Sequence, residues 1–279
     1  MLEDLEKIER ELTDLRRFGV GTMIDAMPLD AGRSVADLKT VSSRTGMHIV
    51  AATGLHLRIY YPRDHWYDTV DEDELTNRFI AEIEVGAEDF GVCVDGRTGV
   101  IKVASGLDRL SDLERRNFRA AGRAHVATGC PILTHTEQGT AALEQIQILD
   151  ECGADLSRVV LSHLDRNGDL AYQREVLRTG VRLEYDSAFR WRGDANQTLD
   201  LLVALAPEFP DSFVVGMDAA RFGYWRSFGG KPGLDFLVAQ FAPRLLEAGL
   251  SQSLVDNIFI HNPANAYSFT VPNKGEPQE

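Results

Sequence analysis

The sequence predicts an α/β protein of the (β/α)8 type, a TIM barrel, on three observations. Short apolar runs alternate with longer stretches of helical periodicity. Several runs are continuous (HIVAATG, RVVLSH, SFVVGMD), as strands buried on both faces should be, and strand alternating with helix makes a parallel sheet with helices outside. Almost every run ends in a polar or ionisable residue: Asp25, Thr53, Lys102, His135, His163, Asp186 and Asp218. An open doubly wound sheet carries its chemistry at one switch point, whereas a barrel gathers it from the carboxyl ends of many strands. No GxGxxG follows a strand, which removes the main argument for a dinucleotide-binding sheet.

In chain order, the first element is a charged amphipathic helix, MLEDLEKIERELTDLRR, whose apolar stripe is Leu2, Leu5, Ile8, Leu12 and Leu15. Its charges exclude a signal peptide. Strands are predicted at residues 20–26, 47–53, 99–104, 131–134, 158–162, 181–185 and 213–217. Helices are predicted at 111–128, 140–152, 170–179, 196–206 and 234–248, the first opened by a Ser111–Glu114 capping box. An insert over 55–73, rich in Tyr, Trp and Arg, overhangs the catalytic face. The strands number seven, one short of closure, and the place for the first strand of the barrel is before residue 1. One hydrolase domain is expected over 1–269, with a disordered tail at 270–279 (TVPNKGEPQE).

Composition narrows the function classes. Hydrophobic residues at 44% and charged residues at 26% are the balance of a globular chain, and no run reaches the ~18 apolar residues of a membrane span. The net charge of −14 argues against nucleic acid and against anionic membranes as partners. Cys93, Cys130 and Cys152 form no CxxC, so a reduced, cytoplasmic protein is expected. Its partner is a small-molecule substrate, and its assembly a homodimer.

Four residues carry the chemistry: Lys102 in GVIKVAS, His135 in PILTHTE, His163 in VVLSHLD and Asp218 in VVGMDAA. Two imidazoles and a carboxylate converging from neighbouring strand ends can share a metal ion. A lysine inside an apolar run loses hydration as a cation, so its pKa falls, and a neutral amine can take up carbon dioxide as a bridging carbamate. A metal-free salt bridge between Lys102 and Asp218 is the competing reading. His48, His125 and His261 read as structural, Cys130 as core filler, and His56 and His65 in the insert as substrate contacts.

These motifs, with VGTMIDAMPLDAGRSVADLKTVSSRTGMHIVAATG, ALEQ, DLSRVVLSHLD and the closing IFIHNPANAYSF, resemble the phosphotriesterase family of the amidohydrolase superfamily along nearly the whole chain. The resemblance implies a centre of two divalent metals, zinc with manganese or cobalt as alternatives, bridged by carboxylated Lys102. His135 and His163 would bind one metal; Asp218 would bind the other and shuttle the proton. The family's first strand carries a His-x-His pair that this sequence lacks. One truncation before residue 1 accounts for both missing strand and missing pair; a natural variant with one metal on Lys102, His135 and His163 is the alternative.

The loops choose the substrate. DSAFRWR and DAARFGYWRSFGG bring Arg190, Arg192, Arg221 and Arg226 beside the site, either as an anion pocket or as a solvated rim. Asp218-x-x-Arg221-x-x-Tyr224, with Arg190, resembles the branch that hydrolyses phosphorylated sugar lactones through a hydroxide bridging the metals. Phosphotriesterase, carboxylesterase and acyl-homoserine lactonase activities are the alternatives within the family; Asp186-Ser187, where homoserine lactonases carry Asp-Arg, speaks against the last. A binding protein on a decayed hydrolase barrel is the alternative outside it.

Overall fold

The computed structural model describes residues 4–89, 91–191 and 195–270. Seven parallel strands form one curled sheet in the order β1 (Thr22–Asp25), β2 (His48–Gly54), β5 (Val100–Ser105), β6 (Ile132–Thr136), β7 (Val159–Ser162), β8 (Arg182–Tyr185) and β9 (Phe213–Val215). The two remaining strands, β3 (Glu88–Asp89) and β4 (Val92–Cys93), make a small antiparallel ribbon. All seven predicted strands are present, and among the described residues no eighth strand pairs with β1 or β9.

Helices cover the outside: α1 (Leu5–Arg16), α2 (Val35–Thr45), α3 (Glu72–Glu84), α4 (Asp112–Thr128), α5 (Ala142–Glu151), α6 (Leu170–Leu177), α7 (Gln197–Leu205), α8 (Ala242–Glu247), α9 (Gln252–Asp256) and α10 (Asn262–Ala266). Side chains set their bounds. Ser111 and Glu114 form the capping box at the start of α4, which Gly129 ends in the left-handed conformation. Four helices fall outside the predicted set: α2, rich in Ser and Thr; α3, whose opening acids after the Asp71 cap precede a buried stripe of Leu75, Phe79 and Ile83; and the five-residue α9 and α10, too short to show a period. The helix expected at 234–248 is a π-helical turn (Leu237–Phe241) running into a short α8. The expectation for the tail falls outside the described residues except at Thr270, whose amide donates to Gly129 O at 2.9 Å. No described helix is long and apolar enough to cross a membrane.

Strand alternation separates two environments. Ile101, Val103, Ile132, Val159, Leu161, Leu183, Tyr185 and Phe213 face the helices and join the main core. Ala52, Val100, Leu133, Val160 and Val214 form a second cluster with Ala266 and Tyr267. Two residues further along their strands from Val100, Leu133 and Val160 come Lys102, His135 and Ser162, so these polar groups share the inner face with the apolar plug below them. Lys102 therefore lies within β5, and His135 within β6, rather than closing them as the sequence suggested. β2 ends at Gly54, whose φ of +104° and approach to the Lys102 backbone leave no room for a Cβ.

Candidate metal centre

Lys102 is 4% exposed. Burial lowers its pKa, against the opposing pull of Glu184, Asp218 and Asp186. The salt bridge with Asp218 does not form: Asp218 pairs instead with Arg166 and Arg190. Lys102 is thus a buried amine biased toward its neutral form, the state that carbamate formation requires.

His135 is fixed from α5. Gln145 donates from Nε2 to Ser105 Oγ at 2.6 Å and to His135 O at 2.9 Å, tying the ends of β5 and β6 together. The imidazole contacts Glu137 Oε2 through Nε2 at 3.1 Å, and its ring centroid lies 4.5 Å from that of His163 and 5.2 Å from that of His56. Burial, then the nearby His163 and Lys102, hold His135 well below the usual imidazole value. His56 is likewise lowered, to about 3, by burial and then by Lys102 and His163. Its Nδ1 accepts from the Leu57 amide at 2.7 Å, so the neutral ring carries its proton on Nε2 and is a hydrogen-bond donor, not a ligand, at that atom.

His163 and Asp218 both have left-handed backbone, with φ of +71° and +40°. Non-glycine residues hold that conformation only where their surroundings dictate it, and such positions cluster at functional sites. His163, Asp186 and Asp218 each present one ligand atom, all within 4.8 Å of one another. His163 Nδ1 and Asp186 Oδ2 face each other directly, yet neither atom, though buried, has a hydrogen bond of acceptable geometry. One imidazole and two carboxylates converging in this way suit a zinc-like divalent cation. Burial by itself would raise Asp186, but His163, Arg166 and Arg190 together hold it below the ordinary carboxylate value.

Arg190 donates to Asp218 Oδ2 at 2.6 Å and lies over the rings of Phe189 and Tyr224, 5.1 and 5.7 Å from their centroids. Arg166 donates to Asp218 Oδ2 at 3.0 Å and to Asp186 Oδ1 at 3.2 Å. Among the sequence-derived contacts, Arg190 and Tyr224 thus meet beside Asp218. Arg221 is exposed and makes no ion pair among the described residues. Arg226 pairs with Asp235 at 2.9 Å, so it belongs to the rim, and Arg192 lies outside the described residues. His65 is a correction: Nδ1 accepts from the Tyr67 amide and Nε2 meets Asp30 at 3.0 Å, so the ring braces the insert. His125 is held between Cys130 O and the Asp155 amide, as a structural histidine should be.

Sequence reading left Asp186, Arg166 and Glu184 without site roles. Asp186 ends a predicted strand run, and Arg166 follows His163 by three residues in a tight turn. Glu184 accepts from Ser162 Oγ at 2.5 Å, and burial and then Asp186 raise its pKa. A lone acid in the middle of the RLEY strand was its signal.

A barrel sheet whose strands bring imidazoles, carboxylates and a buried lysine to one face has the architecture of a metal-dependent hydrolase. The chain belongs to the phosphotriesterase family, a family of binuclear metal hydrolases, whose profile matches residues 3–267. It is 30% identical to the phospho-furanose lactonase of Mycoplasmopsis agalactiae over 98% of this chain and 82% of that protein. An N-acetyltaurine hydrolase of Danio rerio is 27% identical over 96% of this chain and 78% of its own length. Among solved structures, the lactonase Lmo2620 from Listeria monocytogenes matches with a TM-score of 0.89 and 29% identity, covering 97% of this chain and 88% of that one. The phosphotriesterase homology protein of Escherichia coli, solved with phosphate in its active site, matches with a TM-score of 0.87 and 28% identity over 96% and 91% of the two chains.

Proposed function

We propose that the protein is a lactonase that opens a phosphorylated sugar lactone. The observation that carries this reading is Arg190, a cation stacked on Tyr224 and bonded to the carboxylate of Asp218, which places anion recognition beside the acid–base group. His135, His163 and carboxylated Lys102 would hold one divalent ion, and Asp218 would hold the other, with zinc as the first choice and manganese or cobalt as alternatives. When bound, such ions activate water and polarise the lactone carbonyl.

The chain's own residues do the rest. Asp218 accepts the proton of the attacking water and returns it to the ring oxygen as the carbonyl carbon–oxygen bond of the ring breaks, giving the open hydroxy acid. His56 donates from Nε2 to the substrate. Arg190, Arg221 and Tyr224 hold the phosphate away from the scissile bond, so their contribution is positioning. We place this activity in one domain over residues 1–269 of a cytoplasmic homodimer; sedimentation as a monomer would overturn the assembly.

The decisive assay compares a phosphorylated furanose lactone with its unphosphorylated counterpart. A kcat/KM at least about tenfold higher for the phosphorylated lactone is expected from one charge-assisted contact. Equal rates on the two lactones would overturn the phosphate reading, and preference for a phosphotriester, an aryl ester or an acyl-homoserine lactone would move the enzyme to another branch. N-acetyltaurine belongs in the same panel, because the arginines fit its sulfonate as well as a phosphate. Absence of any hydrolysis by metal-loaded protein would favour the decayed binding barrel.

A further inference from the structure

Glu137 directly follows β6 and comes two residues after His135. Side chains two apart in extended chain point to one side, and Thr136 between them is extended, with φ −110° and ψ 125°. The Glu137 carboxylate therefore returns to the face that carries His135, and its Oε2 lies 3.1 Å from Nε2 of the imidazole. No lysine or arginine pairs with Glu137 among the described residues; its other oxygen meets the Gln138 side-chain amide at 3.4 Å. The turn keeps the acid in place. Glu137 O accepts from the Thr140 amide at 3.0 Å and from the Thr140 hydroxyl at 2.7 Å. Thr140 Oγ1 accepts in turn from the Asp108 amide at 2.8 Å, which ties this turn to the loop after β5. Gln138 completes the turn with a φ of +53°, a strained conformation for a residue other than glycine.

We propose that Glu137 is a positioning residue for the metal centre: by accepting the Nε2 hydrogen of His135 it fixes the tautomer and orientation of that ring, so that His135 offers Nδ1 to a divalent cation. The proposal rests on the reading of His135 as a metal ligand. A ligating imidazole is neutral and carries one N–H. An ionised carboxylate has no hydrogen to give, so the hydrogen between Nε2 and Oε2 belongs to the ring, and the lone pair is left on Nδ1. Gln145 holds the backbone of His135 through its carbonyl but leaves the imidazole free to turn over. A ring that turned over or moved its hydrogen would aim an N–H, which cannot ligate, where the lone pair is needed. Glu137 closes both routes, and its negative charge on the far edge of the ring makes the ligating nitrogen more basic.

The test uses the full chain with isotopically labelled histidine nitrogens. In protein stripped by chelator, nitrogen NMR should place the His135 hydrogen on Nε2, the ring being assigned by the signals lost in His135→Gln. Glu137→Ala should spread that hydrogen over both nitrogens. Cobalt(II) titrations in bicarbonate buffer, followed by visible absorption, should show the alanine variant binding the ion roughly ten- to a hundredfold more weakly than wild type. Glu137→Gln, whose side-chain oxygen still accepts from Nε2, should restore the tautomer and most of the affinity. A hydrogen on Nδ1 in the stripped wild type overturns the proposal without any variant. So does a Glu137→Ala protein that keeps the wild-type tautomer or the wild-type cobalt affinity, as it would if Glu137 only braced the turn. If Glu137→Gln binds cobalt as weakly as Glu137→Ala while keeping the tautomer, the carboxylate is itself a ligand and the positioning role is wrong. Those results leave the metal-hydrolase reading standing; a wild type that binds no cobalt ends that reading and this proposal together.

Discussion

Glu11 accepts a hydrogen bond from the amide of Ser227 at 2.7 Å, joining the first helix to the loop that follows the last strand of the sheet. The same carboxylate accepts from the amides of Arg226 at 3.2 Å and Leu234 at 3.1 Å, and it is 6% exposed. That loop carries Arg221 and Tyr224. Leu12, Leu15, Trp225 and Leu234 pack around the junction, so an apolar cluster shields these bonds from water. The fold thus braces β9's loop from α1, close to the edge strand β1.

Glu11→Ala would leave three amides in a shielded site without their acceptor. A loss of about 2–4 kcal/mol in unfolding free energy is expected, read by the urea midpoint. Glu11→Gln, which keeps an acceptor oxygen, should recover part of it. Equal stability of Glu11→Ala and wild type would show that water replaces the carboxylate.

Lys102→Ala should remove most of the bound metal, measured by elemental analysis of protein purified without chelator. Family members that carry the His-x-His pair are expected to hold about two ions per chain, and one ion or weak occupancy is expected for these 279 residues, which have no such pair. Acetate or another short carboxylate should restore part of the metal in the alanine variant by standing in for the carbamate. Unchanged metal content in Lys102→Ala would rule out a bridging role.

Arg221→Met separates a phosphate contact from a structural one. If Arg221 meets the phosphate, kcat/KM on the phosphorylated lactone should drop by roughly ten- to a hundredfold, while a neutral aryl ester is hydrolysed as before. Equal losses on both substrates would place its effect on the loop or on Asp218.

Acid should destabilise the metal-free protein through His56 and His135. Both are held neutral in the fold, His56 with a pKa lowered to about 3, while in the unfolded chain each protonates near about 6.5. Between those values the unfolded state binds more protons, so stability is intact above pH about 6.5 and falls as pH drops, by at most about 1.4 kcal/mol per pH unit for each histidine. Asp165, raised to about 6 by burial and then by Asp186, acts in the opposite sense, being stabilised when protonated. The histidine contribution is therefore read as the difference between wild type and His56→Asn in urea midpoints at pH 7 and pH 5. A shallower pH dependence in the variant is expected; identical slopes would mean that His56 is solvated.

The sequence by itself determined the seven strands and the polarity of their inner face. Buried parallel strands must be continuous and apolar, so Lys102 and His135 inside such runs were visible as exceptions. The capping box of α4 was equally legible, because its two side chains act within one turn. Tertiary structure alone decided which charges meet. Arg166, Asp186, Arg190 and Asp218 come from three loops up to 52 residues apart in sequence, and only the curl of the sheet brings them within hydrogen-bond reach. It also decided that Lys102 stands unpaired by Asp218 and that His65 serves Asp30 rather than a ligand. Hydrophobic periodicity reports which face of an element is buried, since burial repeats along the chain. Pairing between side chains on separate loops leaves no such period, because it depends on where the backbone turns after each strand has ended.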